Sequence, residues 1–327
     1  MGDLIDAHTH FHPSSLVAFL SGRRDAPRIA TEEGKRWLYF GPGGRAPYND
    51  EMDHLDLKIA NMDAAGISLG VLSVASGRLD AFAPEEATVV ARDVNDELVD
   101  LTRTRPDHFA ALALLPLQAA EAAADELRRA VGLGLRGGLV ESNVAGRPLD
   151  DPMFWPIFEA AAELGAPLFL HPNHPMISDP VEAYDLVPVA GFLIDTTIVT
   201  LRLVLSGVYE RHPDLKIFLA HAGSLLAPLI GRVDKFYDIG RLGTGSSLRD
   251  APPSDYLRRL YTDTVCAWAP ALNMAIELFG ADHVLSGTDA PYFDPSWNEE
   301  TLLKANLSGE VDDAIRHRNA RRLFGLT

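Results

Sequence analysis

Five residues able to bind a metal or move a proton stand at the ends of short apolar runs. His8-Thr9-His10 follows Leu4-Ile5, and His171 ends Leu168-Phe169-Leu170. His221 ends Ile217-Phe218-Leu219-Ala220, and Asp289 ends Val284-Leu285-Ser286-Gly287-Thr288. Side chains two apart on a strand point the same way, so His8 and His10 can aim both imidazoles at one point. An isolated His-x-His says little. Five such residues at strand ends say more, because imidazole is the commonest nitrogen ligand of zinc and a carboxylate completes a mixed site. A divalent ion there would lower the pKa of a bound water toward about 7 and polarise a substrate oxygen.

Such residues meet only if the strands carrying them end together. Strands are expected over Leu4–His8, Ile67–Val74, Phe109–Leu115, Leu135–Glu141, Pro167–His171, Leu215–His221, Leu260–Val265 and His283–Asp289. A helix is expected after each, with Pro84–Thr104 and the Ala-rich Ala119–Val131 among them. Repeated strand–helix units imply a parallel sheet. Eight of them in about 300 residues predict an α/β fold, a (β/α)₈ TIM barrel, whose strand ends converge on the C-terminal face where barrel active sites lie. An open doubly wound sheet fits less well, since no dinucleotide fingerprint is present. Gly132-x-Gly134-x-x-Gly137 has the spacing but follows a helix and precedes a strand, the reverse of the required context. It reads as a turn. Residues 1–327 read as one barrel domain with an insertion at about 11–51 that contains Gly41-Pro42-Gly43-Gly44-Arg45. A connection this long reads as a lid or binding loop, the alternative being a disordered insert.

Composition bounds the partners. The chain has 327 residues, 47% of them hydrophobic, with 46 acidic and 29 basic side chains and a net charge of −17. That suits a soluble protein with a large core. It argues against nucleic acid and anionic membrane surfaces, both of which need a basic face. Cys266 is the only cysteine, so no intrachain disulfide or Cys-rich zinc site is possible. It reads as a small buried hydrophobe. The start of the chain lacks a signal-peptide pattern, and Asp6 breaks the myristoylation pattern. The longest unbroken apolar run, Phe109 to Leu117, is too short to cross a bilayer. A cytoplasmic location is expected.

Taken in order, several segments resemble the amidohydrolase superfamily, within it the amidohydrolase-2 group typified by aminocarboxymuconate semialdehyde decarboxylase. They are Ile5-Asp6-Ala7-His8-Thr9-His10, Met62-Asp63-Ala64-Ala65-Gly66-Ile67, His171-Pro172, Thr196-Thr197, His221-Ala222-Gly223, Gly231-Arg232, Tyr261-Thr262-Asp263 and Gly287-Thr288-Asp289. The resemblance implies that His8, His10, His171 and Asp289 hold one divalent ion, zinc in the first place and manganese in the second, with no organic cofactor. It implies His221 as the catalytic histidine, and Asp289 as the group that protonates carbon in related aromatic-acid decarboxylases. Many superfamily members bridge two metals with a lysine on strand four. Here Glu141 and Ser142 end that strand; Glu141 could bridge, but the resembled group has one metal. Arg232, eleven residues after His221, matches an arginine that reaches a neighbouring subunit's site, which implies a homodimer. Arg45, by position alone, is a second cation for a substrate carboxylate. His174 either touches substrate or caps a turn.

The implied reaction is decarboxylation of an unsaturated or aromatic carboxylic acid. The alternative is a hydrolase or hydratase acting on a lactone, amide or C=C bond at the same site. A non-catalytic metal binder is disfavoured because His221 is kept. The chain departs from the group's pattern at Ala222, at Asn173-His174-Pro175 and at Ala290-Pro291-Tyr292-Phe293, positions that face substrate in the resemblance. His12 and Asp263 are candidates for supporting roles behind the metal. Asp195 reads as a helix N-cap. Trp268, Tyr292, Phe293 and Trp297 either line a pocket or pack under loops.

Overall fold

The computed structural model describes residues 3–41, 44–75, 78–178, 181–242, 246–248 and 251–326. Strand one (Ile5–His10) pairs with strand two (Leu69–Ser73), and strand two with strand three (Phe109–Ala111). Strands four (Gly138–Glu141), five (Leu168–His171), six (Ile217–Leu219), seven (Tyr261–Asp263) and eight (Val284–Leu285) form a second ladder in that order. All these pairs are parallel. Two parallel bridges, Ala113↔Gly138 and Thr9↔Ala290, join the ladders into a closed ring of eight. The (β/α)₈ barrel is therefore present, and every expected strand lies within its expected span except strand one, which runs on to His10.

The helices follow their apolar stripes. Pro84–Thr104 begins with Pro84 and two acidic residues, Glu85 and Glu86, which suit the positive end of the helix dipole. It buries Ala87, Val90, Ala91, Val94 and Leu98, a three-four spacing that lays one face on the barrel. Ala120–Leu133 ends at Gly134 with φ 119°. Gly137, with φ 154°, enters strand four where a Cβ would collide with the Pro167 carbonyl. The apparent nucleotide fingerprint is thus a helix cap and a tight strand entry.

Ala183–Leu205 is long and apolar enough to cross a membrane by length and composition, with 44% of its apolar window buried. It is not one straight helix. Tyr184 has φ 61°, Val187–Gly191 is wound as a π-helix, and Phe192–Leu205 is α-helical. Counting only unbroken apolar runs misses it, because Asp185, Asp195 and Thr196-Thr197 interrupt the sequence.

The insertion is ordered. It carries a helix, Ser14–Ser21, and a three-stranded antiparallel sheet of Arg28–Glu32, Lys35–Gly41 and Gly44–Pro47. Pro42 and Gly43 of the glycine-rich stretch lie outside the described residues. Both ends of the insertion are fastened to the barrel. Buried His12 reaches Tyr48 Oη (3.1 Å) and the Ala75 carbonyl (2.9 Å). Asn49 Nδ2 donates to the Pro291 carbonyl (3.2 Å). Fully buried Lys58 donates to Thr9 Oγ1 (2.8 Å) and to Glu51 Oε1 (3.2 Å). Removing one partner of such a pair strands the other charge. Lys58→Ala is expected to destabilise the fold by about 3–5 kcal/mol in urea unfolding. Lys58→Met with Glu51→Leu should recover most of the loss; a single variant as stable as wild type would contradict this.

Candidate active site

The four imidazoles of His8, His10, His171 and His221 surround Asp289 at the C-terminal mouth of the barrel. His10 Nε2 lies 2.9 Å from Asp289 Oδ1, and His8 Nε2 lies 3.3 Å from the same atom. His8 Nε2 and His10 Nε2 are 3.2 Å apart, and His221 Nε2 is 3.3 Å from Asp289 Oδ2. Donor atoms of His8, His171, His221 and Asp289 all fall within 4.8 Å of one another.

Three of the rings are held by their other nitrogen. His8 Nδ1 bonds Asp263 Oδ2 (2.7 Å), His10 Nδ1 bonds Ser73 Oγ (2.9 Å), and His171 Nδ1 bonds the Pro172 carbonyl (3.1 Å). With Nδ1 engaged, each Nε2 lone pair is turned to the common centre, as second-shell partners do for metal-binding histidines. Buried His171 Nε2 has no partner among the described residues. Donors 90–110° apart on an ion about 2.1 Å away lie about 3.0–3.4 Å from one another, close to the 2.9–3.3 Å observed. The donor set therefore fits a divalent ion. His221 differs: its buried Nδ1 has no orienting partner among the described residues.

The charges point the same way. Burial pushes His10 down to about 4 and His171 well below its ordinary value, so both imidazoles are neutral. Burial also opposes charge on His8, yet Asp289 and Asp263 overcome it and lift His8 to about 10. Burial would raise Asp289, but His8, His10 and His221 hold it well below the carboxylate range. The cluster thus retains one proton to balance Asp289, a proton that a bound cation would replace.

A family model described as amidohydrolase matches residues 5–326. The chain belongs to the amidohydrolase family. It is 31% identical to 2-amino-3-carboxymuconate-6-semialdehyde decarboxylase of Dictyostelium discoideum over 239 residues, 72% of this chain and 66% of that protein. It is 32% identical to gamma-resorcylate decarboxylase of a Rhizobium species over 296 residues, 84% of this chain and 88% of the relative. A dihydroxybenzoic acid decarboxylase from Polaromonas, solved with manganese and 2-nitroresorcinol, superposes with a TM-score of 0.83 at 26% identity, covering 100% of this chain and 98% of that one. The chain is an enzyme of this family, with a site suited to a single divalent metal.

The structure sorts the other residues singled out in the sequence. Asp263 is central to this amidohydrolase site. Besides His8 it accepts the backbone N–H groups of His221 (3.0 Å), Ala222 (2.8 Å) and Val265 (2.9 Å). It thereby holds a turn in which His221, Ala222 and Ser224 have φ of 61°, 52° and 57°. Asp195 is not an N-cap: Gly191 precedes the helix, and buried Asp195 accepts from Ser142 Oγ (2.6 Å), Asn143 Nδ2 (3.0 Å) and Met176 N (2.9 Å). Its place one turn into the helix lets it reach across to the ends of strands four and five. Ser73, which sequence reasoning passed over, ends strand two in register with His10. Cys266 is partly buried.

Arg45 lies on the insertion sheet, paired with Glu32 (2.8 Å) and stacked over Trp37 (4.2 Å), with no contact to the cluster among the described residues. His174 has an exposed side chain, while its backbone is tied to Asn173 Oδ1 and Asn143 Nδ2. Tyr292 stands at the cluster, its ring centroid 5.6 Å from His10. Phe293 and Trp297 pack on each other, and Trp268 is exposed.

Asp263→Ala removes the anchor of His8 Nδ1. The affinity for a divalent ion is expected to fall about 10–100-fold, the usual cost of losing such a partner. Metal content after dialysis against graded chelator checks it; an ion held as tightly as in wild type would contradict the role.

Proposed function

We propose that this enzyme decarboxylates an aromatic or unsaturated carboxylic acid, with one divalent ion held by His8, His10, His171 and Asp289. The observation that carries the reading is the asymmetry among the histidines. Three are fixed through Nδ1, two of them with Nε2 against Asp289 and His171 with an Nε2 that lacks a partner among the described residues; His221 is fixed through its backbone, and its Nδ1 has no partner among them. When bound, a divalent ion supplies positive charge for a substrate carboxylate and Lewis acidity toward a neighbouring oxygen. Zinc suits the imidazole-rich donor set, and manganese is the ion of the dihydroxybenzoic acid decarboxylase.

The chain's own residues supply the proton. His221 and Asp289 lie close enough to share one. The bond between the substrate carbon and its carboxyl group breaks, CO₂ leaves, and that carbon takes the proton held by the His221–Asp289 pair. His8 and His10 are fully buried and His171 and Asp289 nearly so, so little water competes for the carbanionic carbon.

Elemental analysis should find about one divalent ion per chain, and wild type should release CO₂ from aromatic carboxylic acids. His171→Ala is expected to lose the ion. His221→Asn should keep it and lose activity by about 10²–10⁴-fold. Two tightly held ions, or equal metal loss in both variants, would overturn the assignment.

We further propose that Arg232 completes the site of a second copy in a homodimer. It lies on the helix Leu226–Asp238, exposed, with its guanidinium 4.8 Å over Phe236 and no ion pair among the described residues. A free guanidinium can grip a carboxylate through two parallel hydrogen bonds, and a two-fold interface would carry each arginine to its mate's site. Mixing inactive Arg232→Ala with inactive His221→Asn should restore activity, because some mixed dimers hold one intact site. Full activity of Arg232→Ala alone, or no recovery after confirmed subunit exchange, would sink the idea.

A further inference from the structure

Strand four ends in Glu141, a carboxyl with no part in the chemistry above. Its backbone pairs in register with His171, and Leu139 pairs with Phe169. Residues paired across neighbouring strands point to the same side of a sheet. Phe169 and His171 point into the barrel, where both pack on His8. Leu139 and Glu141 therefore point inward too. The cluster sits on strands one, five, six and eight. In a ring of eight, strand four stands opposite strand eight, so Glu141 faces Asp289 from the far wall.

Asn173 Nδ2 lies 3.0 Å from Glu141 Oε2 and 3.1 Å from Asp80 Oδ2, and it clamps the two carboxyl groups side by side. Asp80 is engaged elsewhere, accepting from Arg78 Nε (3.0 Å) and Ala145 N (3.1 Å). Glu141 Oε1 has no such partner among the described residues, and the side chain is half-buried. It lines a small cavity with Asp80, Leu79, Leu139 and Gln118. Gln118 Oε1 is buried in the same region and also lacks a partner. Burial and the neighbouring Asp80 both raise the pKa of Glu141.

We propose that Glu141 sets substrate specificity, its Oε1 hydrogen-bonding a hydroxyl on the substrate ring remote from the departing carboxylate. This rests on the decarboxylase reading above. A hydroxyl suits the position because it donates and accepts at once. A ring lacking it leaves Glu141 Oε1 without a partner among leucines, and a site built to bond a hydroxyl rejects the analogue that lacks one.

The test uses ion-loaded protein and ligands that cannot react: 2-nitrophenol and its derivatives with a further hydroxyl meta or para to the nitro group, such as 3-nitrocatechol and 4-nitroresorcinol, titrated by calorimetry. At least one hydroxylated derivative should bind about 10–100-fold more tightly than 2-nitrophenol. Glu141→Met, which removes the polar atoms at similar volume, should erase that ratio. Glu141→Gln, which keeps a polar pair, should hold it within about threefold. The proposal is overturned if wild type prefers none of the derivatives, if the ratio survives in Glu141→Met, or if Glu141→Gln loses it. A Glu141→Met that weakens every ligand equally would mark a merely structural role and overturn it as well. CO₂ release by wild type is measured separately. A hydroxyl preference without CO₂ release would leave the recognition standing and remove only the decarboxylase reading.

Discussion

The carboxylate of Asp263 is the constraint from which the site takes its form. Four N–H groups reach it: the ring of His8 on strand one, the backbone of His221 and Ala222 beyond strand six, and Val265 beyond strand seven. One buried carboxyl thus fixes the ring of His8 and the left-handed turn that presents His221. Such backbone conformations persist only when their surroundings over-determine them. Here the over-determination is electrostatic. A carboxylate with both oxygens doubly engaged in a low-dielectric interior is a strong and inflexible tether.

The same device explains why the ladders stop where they do. The ladder between strands seven and eight is short, covering Val284–Leu285 of strand eight and Thr262–Asp263 of strand seven. Beyond them several backbone donors turn to side chains, while Asp289 N and His10 N still bond the His8 and Ala290 carbonyls (2.7 and 2.8 Å). Asp6 takes the N–H groups of His8 (3.1 Å) and Thr288 (3.0 Å) and the Thr288 hydroxyl (2.5 Å). The register of strand one slips between Asp6 and Thr9, where this substitution occurs. Carboxylates replacing ladder bonds give these donors partners while the strands part at the mouth of the barrel. They also load the region with negative charge that histidines and a cation then balance.

Much of this was legible in the sequence, and for identifiable reasons. The cluster residues close apolar runs, and a polar side chain at the end of a buried strand has little else to do. The barrel follows from the alternation of strands and helices. What escaped reading is what depends on distance in space. Asp195 looks like a cap from its neighbours, yet its partners come from strands four and five. Ser73 is an unremarkable serine until register sets it beside His10. The insertion sheet has no strong alternation, because its strands are mostly half-buried, so it read as a loop. Arg45 is suggested by its position in the long first connection, and the sheet whose Glu32 and Trp37 engage it is set by contacts the sequence does not display. Strand eight was expected to run to Asp289, because the carboxylates that intercept its hydrogen bonds act from other strands.

The seam between strands one and eight joins distant parts of the sequence: the bond between Asp6 and Thr288 spans 282 residues. The metal cluster straddles that seam, with His8 and His10 on one side and Asp289 on the other. On a ribosome adding about 5–20 residues per second, roughly 15–55 seconds separate the synthesis of the first histidine from that of the aspartate. Until then His10 lacks the carboxylate it faces, and strand one lacks its partner at the closing seam. With an ion held across this seam, its capture waits for strand eight, and a loaded site certifies that strand eight has been made and has closed on strand one.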